Sequence, residues 1–171
     1  IVKPLKKGNT MSLTDPQTRY VNFYTDFAFK KLFGTEANKD LLLSFLNSCF
    51  EGTEHFLDIT YLNTENLGMT ATERRAVFDV YCETEKGEKI LIEMQNGEQQ
   101  FFKDRSIFYS TFPIREQAKQ GKSWDYELKR VYPICFLNFT FDNDSDFTHT
   151  VKLVDMTTGK VFYDKLSYLY L

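Results

Sequence analysis

Arg75-Ala-Val-Phe-Asp-Val-Tyr-Cys-Glu-Thr-Glu-Lys-Gly-Glu-Lys-Ile-Leu-Ile-Glu-Met-Gln95 is the stretch on which the fold turns. Phe78, Val80 and Cys82 alternate with Val77, Asp79 and Tyr81, and Ile90, Ile92 and Met94 alternate with Leu91, Glu93 and Gln95. A period of two marks strands, and apolar residues on both faces mark strands covered on both sides. The turn between them sets the register. With Glu85-Lys86-Gly87 as a three-residue loop and Gly87 in the left-handed conformation, Thr84 pairs with Glu88 and Asp79 falls opposite Glu93, on one face with Gln95. A two-residue Lys86-Gly87 loop shifts the register by one and separates the carboxylates.

Asp79 and Glu93 stand where a covered strand is otherwise apolar. Facing carboxylates repel unless one is protonated or a cation lies between them, and their hard oxygens suit Mg2+ or Mn2+. The residues also allow a purely structural arrangement, each carboxylate satisfied by a backbone amide or by Arg74 or Arg75.

Four stretches taken together carry a family resemblance. They are Thr25-Asp-Phe-Ala-Phe-Lys-Lys-Leu-Phe-Gly34, Asn38-Lys-Asp-Leu-Leu-Leu-Ser-Phe-Leu-Asn47, the pair Asp79 and Glu93-Met94-Gln95, and Arg105-Ser-Ile-Phe-Tyr109. As a set, over Asp26 to Leu171, they resemble the Rpn-type recombination-promoting nucleases and transposases of the PD-(D/E)xK superfamily, a branch in which Glu-x-Gln replaces Glu-x-Lys. The resemblance implies an α/β (α+β) restriction-endonuclease-like core, a central mixed sheet flanked by helices. It implies a metal-dependent DNA endonuclease, or alternatively a catalytically inactive DNA- or protein-binding remnant of a mobile element. Asp79, Glu93 and Gln95 take the catalytic positions. Asp79, Glu93 and the Met94 carbonyl take the metal positions, with Asp26 of the first helix as a further carboxylate. In such enzymes the helix after the second strand lies over the site, so Lys103, Arg105 and Tyr109 become phosphate-binding candidates, beside Lys30 from the first helix. Gln95 brings no positive charge; Lys103 or Lys30 is expected to supply it, and Gln95→Lys to leave cleavage intact or raise it.

The rest of the chain fits one core. At 171 residues, 42% hydrophobic and 16% aromatic, it is sized for one domain over residues 20–171 behind a flexible basic arm, residues 1–19. A net charge of -3 argues against a passive nucleic-acid coat, so contact with DNA must come from local basic clusters. Cys49, Cys82 and Cys135 lack metal or disulfide spacing and read as reduced core thiols. His55 and His149 are isolated and expected at solvent-facing positions. No apolar run is long enough to span a bilayer and no stretch reads as a signal peptide, so the expectation is a cytoplasmic protein with DNA and a divalent metal as partners and a homodimer as one possible form.

Asp26 is expected to cap a helix through Phe33, ended by Gly34, with Phe29 and Phe33 on one face and Asp26 paired with Lys30. A second helix, 38–50, carries an apolar stripe of Leu41, Leu42, Phe45, Leu46, Cys49 and Phe50. Phe56 to Leu62 reads as a first strand, and 98–120 as a helix kinked or bounded by Pro113. After a linker with Trp124 nearby, 131–141 reads as a central strand and Asp142 to Asp146 as an acidic turn. A final antiparallel pair, 147–155 and 161–171, ends on an apolar strand where the resembling family continues into helices, so a truncated C-terminus is expected.

Overall fold

The computed structural model describes residues 25–63, 78–118, 125–140 and 146–171. The expected arm, Arg74, Arg75, Trp124 and 142–145 of the acidic turn lie outside the described residues. Among the described residues, three α-helices, α1 (Asp26–Phe33), α2 (Lys39–Cys49) and α3 (Phe102–Glu116), accompany six strands: β1 (Ile59–Tyr61), β2 (Val80–Thr84), β3 (Lys89–Gln95), β4 (Val131–Leu137), β5 (His149–Val154) and β6 (Val161–Tyr170). The strands form one mixed sheet in the order β1-β2-β3-β4-β6-β5. β3 runs parallel to β4 and β4 parallel to β6, while the other neighbours are antiparallel.

Alternation along the strands makes two apolar layers. Val80, Cys82, Ile90, Ile92, Met94 and Ile134 face α1 and α2, packing on Phe29, Phe33, Leu42 and Leu46. Tyr81, Leu91 and Val131 point the other way, onto Phe112 of α3. The covered-strand reading of the hairpin is therefore right. β4 is central, and Pro133 is tolerated there because its ladder to β6 is registered at Val131, Ile134 and Cys135 and passes over the residue without an N–H.

The hairpin turn is the three-residue form. The Thr84 N–H donates to the Glu88 carbonyl (2.9 Å), the Gly87 N–H to the Thr84 carbonyl (2.9 Å), and Gly87 sits at φ 79°. Pairings of Val80 with Ile92 and of Cys82 with Ile90 follow. The paired register ends at Val80 and Ile92, one residue short of the expected Asp79–Glu93 opposition, and Asp79 lies in a bend ahead of β2.

Several local expectations are corrected. The cap of α1 is Thr25, in extended conformation, whose hydroxyl accepts the Ala28 N–H at 3.3 Å; Asp26 is the first helical residue. Gly34 does end the helix, at φ -97°, and glycine is required there because a Cβ would stand 2.7 Å from the Lys30 carbonyl oxygen. Leu41 is exposed rather than core, since the sheet takes only the Leu42 and Leu46 face of α2. β1 shrinks to three residues because Asn47 holds both backbone groups of Phe56 and the Glu85 carboxylate accepts the Leu57 and Asp58 N–H groups. α3 starts four residues late, after Phe101 in the left-handed region (φ 64°), and runs through Pro113 to Glu116. His55 is exposed as expected, whereas His149 is half-buried on edge strand β5. Gly159, at φ 69°, closes the expected β5–β6 turn with the Asp155 side chain. The cysteines are free thiols, Cys82 and Cys135 buried and Cys49 half-buried.

Candidate active site

The C-terminal half of β3 brings the two faces of the fold together. Asp79, just ahead of β2, has a side chain only 10% exposed. Its Oδ2 accepts the Met94 N–H at 2.8 Å, and its Oδ1 lies 3.1 Å from Lys30 Nζ. Burial of Phe29 and Phe33 against Phe136 fixes α1 on the sheet and so delivers Lys30, next to Phe29, to this carboxylate. Lys30 therefore pairs with Asp79; the Asp26 side chain lies outside the described residues. Of the structural alternatives, the backbone amide is realised at Asp79, and the cation beside it is a lysine from α1.

Glu93 is half-buried on the α3 face, its Oε1 enclosed by protein, and pairs in register with Cys135 of β4. Met94 also matters through its backbone. In a strand, the N–H and C=O of one residue face the same neighbour, so the Met94 carbonyl shares the β2 edge with Asp79, while the Gln95 carbonyl is taken on the β4 side by Asn138 N–H at 3.0 Å.

Gln95 is buried and fully oriented. Its Nε2 donates to the Gly97 carbonyl (2.7 Å), and its Oε1 accepts from Arg105 Nη2. Arg105 Nη1 donates to Gln99 Oε1 at 2.6 Å, and the guanidinium lies 5.8 Å from the centre of the Tyr109 ring. Arg105 and Tyr109, both expected as phosphate-binding candidates, lie one helical turn apart on α3. Lys103, on the first turn of α3, is exposed and lines a different cleft with Glu98, Phe139 and Thr140.

α3 is held at the right height by groups that sequence reading missed. Ser106 Oγ and Tyr170 Oη are 2.9 Å apart, Ser110 Oγ and Tyr168 Oη 2.7 Å. A serine every fourth residue lets the helix approach the sheet closely, and tyrosines two apart on β6 meet it. The Ser-x-x-x-Ser and Tyr-x-Tyr spacings were the available signals, together with Gln99 four residues beyond Gln95. One electrostatic readout joins the layer: burial above all, and then the Glu93 carboxylate, pushes the Cys135 thiol up, while the Arg105 guanidinium draws it down.

Among the described residues, no three His, Cys, Asp or Glu side chains are grouped to hold a metal ion, and no helix is long and apolar enough to cross a membrane. The region offers the Asp79 carboxylate with its lysine, the half-buried Glu93 carboxylate on β3 and an arginine-oriented amide at Gln95. Such a set can hold a hard cation and a phosphate together. The sequence profile of the family described as PD-(D/E)XK nuclease family transposase matches residues 23–171. No curated protein and no solved structure matches the chain.

Proposed function

The chain belongs to the PD-(D/E)XK nuclease family transposases, and from that premise we propose that it is a divalent-metal-dependent DNA endonuclease hydrolysing phosphodiester bonds. The observation that carries this reading is the hairpin, whose Glu85-Lys86-Gly87 turn sets Val80 against Ile92 and leaves Asp79, one residue ahead of β2, holding the Met94 N–H next to Glu93.

The donor set fits Mg2+ or Mn2+. Such ions bind through one or two carboxylates and leave other positions to water and substrate phosphate, so a protein cluster of three acids is not required. Asp79, Glu93 and the Met94 carbonyl would hold the ion, with Asp26 as a further candidate ligand. The ion would supply charge that polarises the phosphate and acidifies an attacking water. A carboxylate has about four lone-pair sites, so Asp79 can keep its Met94 N–H while its other oxygen changes partner.

The chain's own groups do the rest. Lys30 neutralises Asp79 in the metal-free protein and, once an ion takes that carboxylate oxygen, is left beside the phosphate as the positive charge that Gln95 lacks. Arg105, oriented by Gln95 and Gln99, presents a fixed guanidinium to a phosphate oxygen, where its forked donors match the geometry. Gln95 orients rather than protonates, since an amide does not titrate.

A second reading, a catalytically inactive DNA- or protein-binding remnant, is favoured by one observation: both Asp79 oxygens already have protein partners. Incubation of supercoiled and linear DNA with Mg2+, then Mn2+, beside an Asp79→Ala control separates the two. Metal-dependent nicking absent from the control is the expected result; no cutting by the folded protein with either metal would leave the remnant reading.

A further inference from the structure

Beside Arg105 opens a cleft of about 510 Å³, with Gln99, Phe101, Asp104, Phe108 and Tyr109 among its walls. Two of its aromatic residues are exposed, Phe101 at 66% and Phe108 at 44%. Phe101 is held at φ 64°, a conformation sparsely used by bulky residues, and its carbonyl accepts the Arg105 N–H at 3.0 Å. Strained backbone of this kind persists where its surroundings over-determine it, and it concentrates at ligand clamps. The strained residue is thus bonded directly to the one whose guanidinium orients Gln95.

The chemistry of the walls is specific. A duplex backbone is bound by rows of cations, and among the described residues the lining of this cleft offers a single one, Arg105, with the Asp104 carboxylate set against any second phosphate. Aromatic rings with amide and carboxylate groups match a different partner, a flat base whose edge carries donors and acceptors. Gln99 and Asp104 supply such groups, and the rings supply the stacking faces.

We propose that this cleft receives an unpaired nucleobase of the DNA strand being cut, stacked against Phe101 or Phe108 while Arg105 holds the adjoining phosphate. The inference rests on the nuclease reading and narrows its substrate to DNA with unpaired bases beside the scissile bond.

The test uses a short single-stranded oligonucleotide carrying 2-aminopurine, bound without metal so that no cleavage intervenes. Stacking quenches its fluorescence, and Phe101→Ala or Phe108→Ala is expected to remove the quench and weaken binding about 5- to 100-fold, with Phe101→Trp restoring both. In Mg2+, a duplex with an internal bubble is expected to be cut faster than the same duplex fully paired, and Phe101→Ala to reduce that preference. Unchanged 2-aminopurine fluorescence, or alanine variants binding as tightly as wild type, would overturn the inference even if DNA is cut. Quenching that depends on Phe101 with no cutting of any DNA would sustain the base site and sink the nuclease reading.

Discussion

Lys30 and Arg105 approach the candidate site from opposite layers of the fold, and they are held by different chemistry. Lys30 comes from α1 and makes an ion pair, so its charge is cancelled by Asp79 at 3.1 Å. Arg105 comes from α3 and rests on neutral partners, the Gln95 and Gln99 amide oxygens and the Tyr109 ring, which orient a guanidinium without neutralising it. The first cation stabilises a carboxylate until another positive charge arrives. The second keeps its charge for an anionic substrate.

This contrast can be broken at several points. Arg105→Ala is expected to lower cleavage about 10²- to 10³-fold, the scale on which loss of a fixed donor to transition-state charge is felt, measured as the rate of plasmid nicking. Arg105→Lys should recover little, because an ammonium cannot fork between Gln95, Gln99 and phosphate. Full activity in Arg105→Ala would remove α3 from the site.

Gln95→Lys comes next. Sequence reasoning expects this change to leave cleavage intact or raise it, but the structure puts the Arg105 guanidinium on the Gln95 amide oxygen. A second cation there is repelled by about 1–4 kcal/mol, so a loss of roughly tenfold or more is expected. A faster variant would show that Arg105 moves aside.

Lys30→Met tests the other arm through stability. It leaves a carboxylate that is only 10% exposed without its cation, so urea denaturation of the metal-free protein should show a loss of about 1–3 kcal/mol. Added Mn2+ should recover much of it, whereas it should do nothing for a defect in packing. A last test lies outside both arms, on a side chain that touches neither cation: burial pushes the Cys49 thiol up to about 11. A raised thiol pKa keeps the group protonated at neutral pH, so alkylation of Cys49 near pH 8 should run about a hundredfold below a free cysteine and rise steeply with pH.

What the sequence disclosed of this arrangement follows the range of the interactions. The hairpin turn, with Thr84 bonded to Glu88, was legible because it depends on three residues and one left-handed glycine. The helices were legible from periodicity, and the mixed sheet from the family resemblance. The Lys30–Asp79 pair joins residues far apart in the chain on separate elements, so sequence could offer Lys30 only as one of two charge donors beside Lys103. Arg105 was picked out for phosphate, yet its bond to Gln95 depends on how deeply α3 sits, which the Ser106–Tyr170 and Ser110–Tyr168 contacts set. Asp26 was read as a cap because Asp and Thr are both good caps and the extended Thr25 backbone decides between them. Leu41 was assigned to the core because a stripe on a helical wheel is wider than the face the sheet covers.

The proposed metal site is tested most directly by calorimetric titration of Mn2+ into the wild-type protein, Asp79→Ala and Glu93→Gln, each first shown to be folded by circular dichroism. A single saturable ion bound by wild type and lost from both variants is the expected result. Equal Mn2+ binding by all three proteins would contradict the assignment of Asp79 and Glu93 as a metal-holding pair.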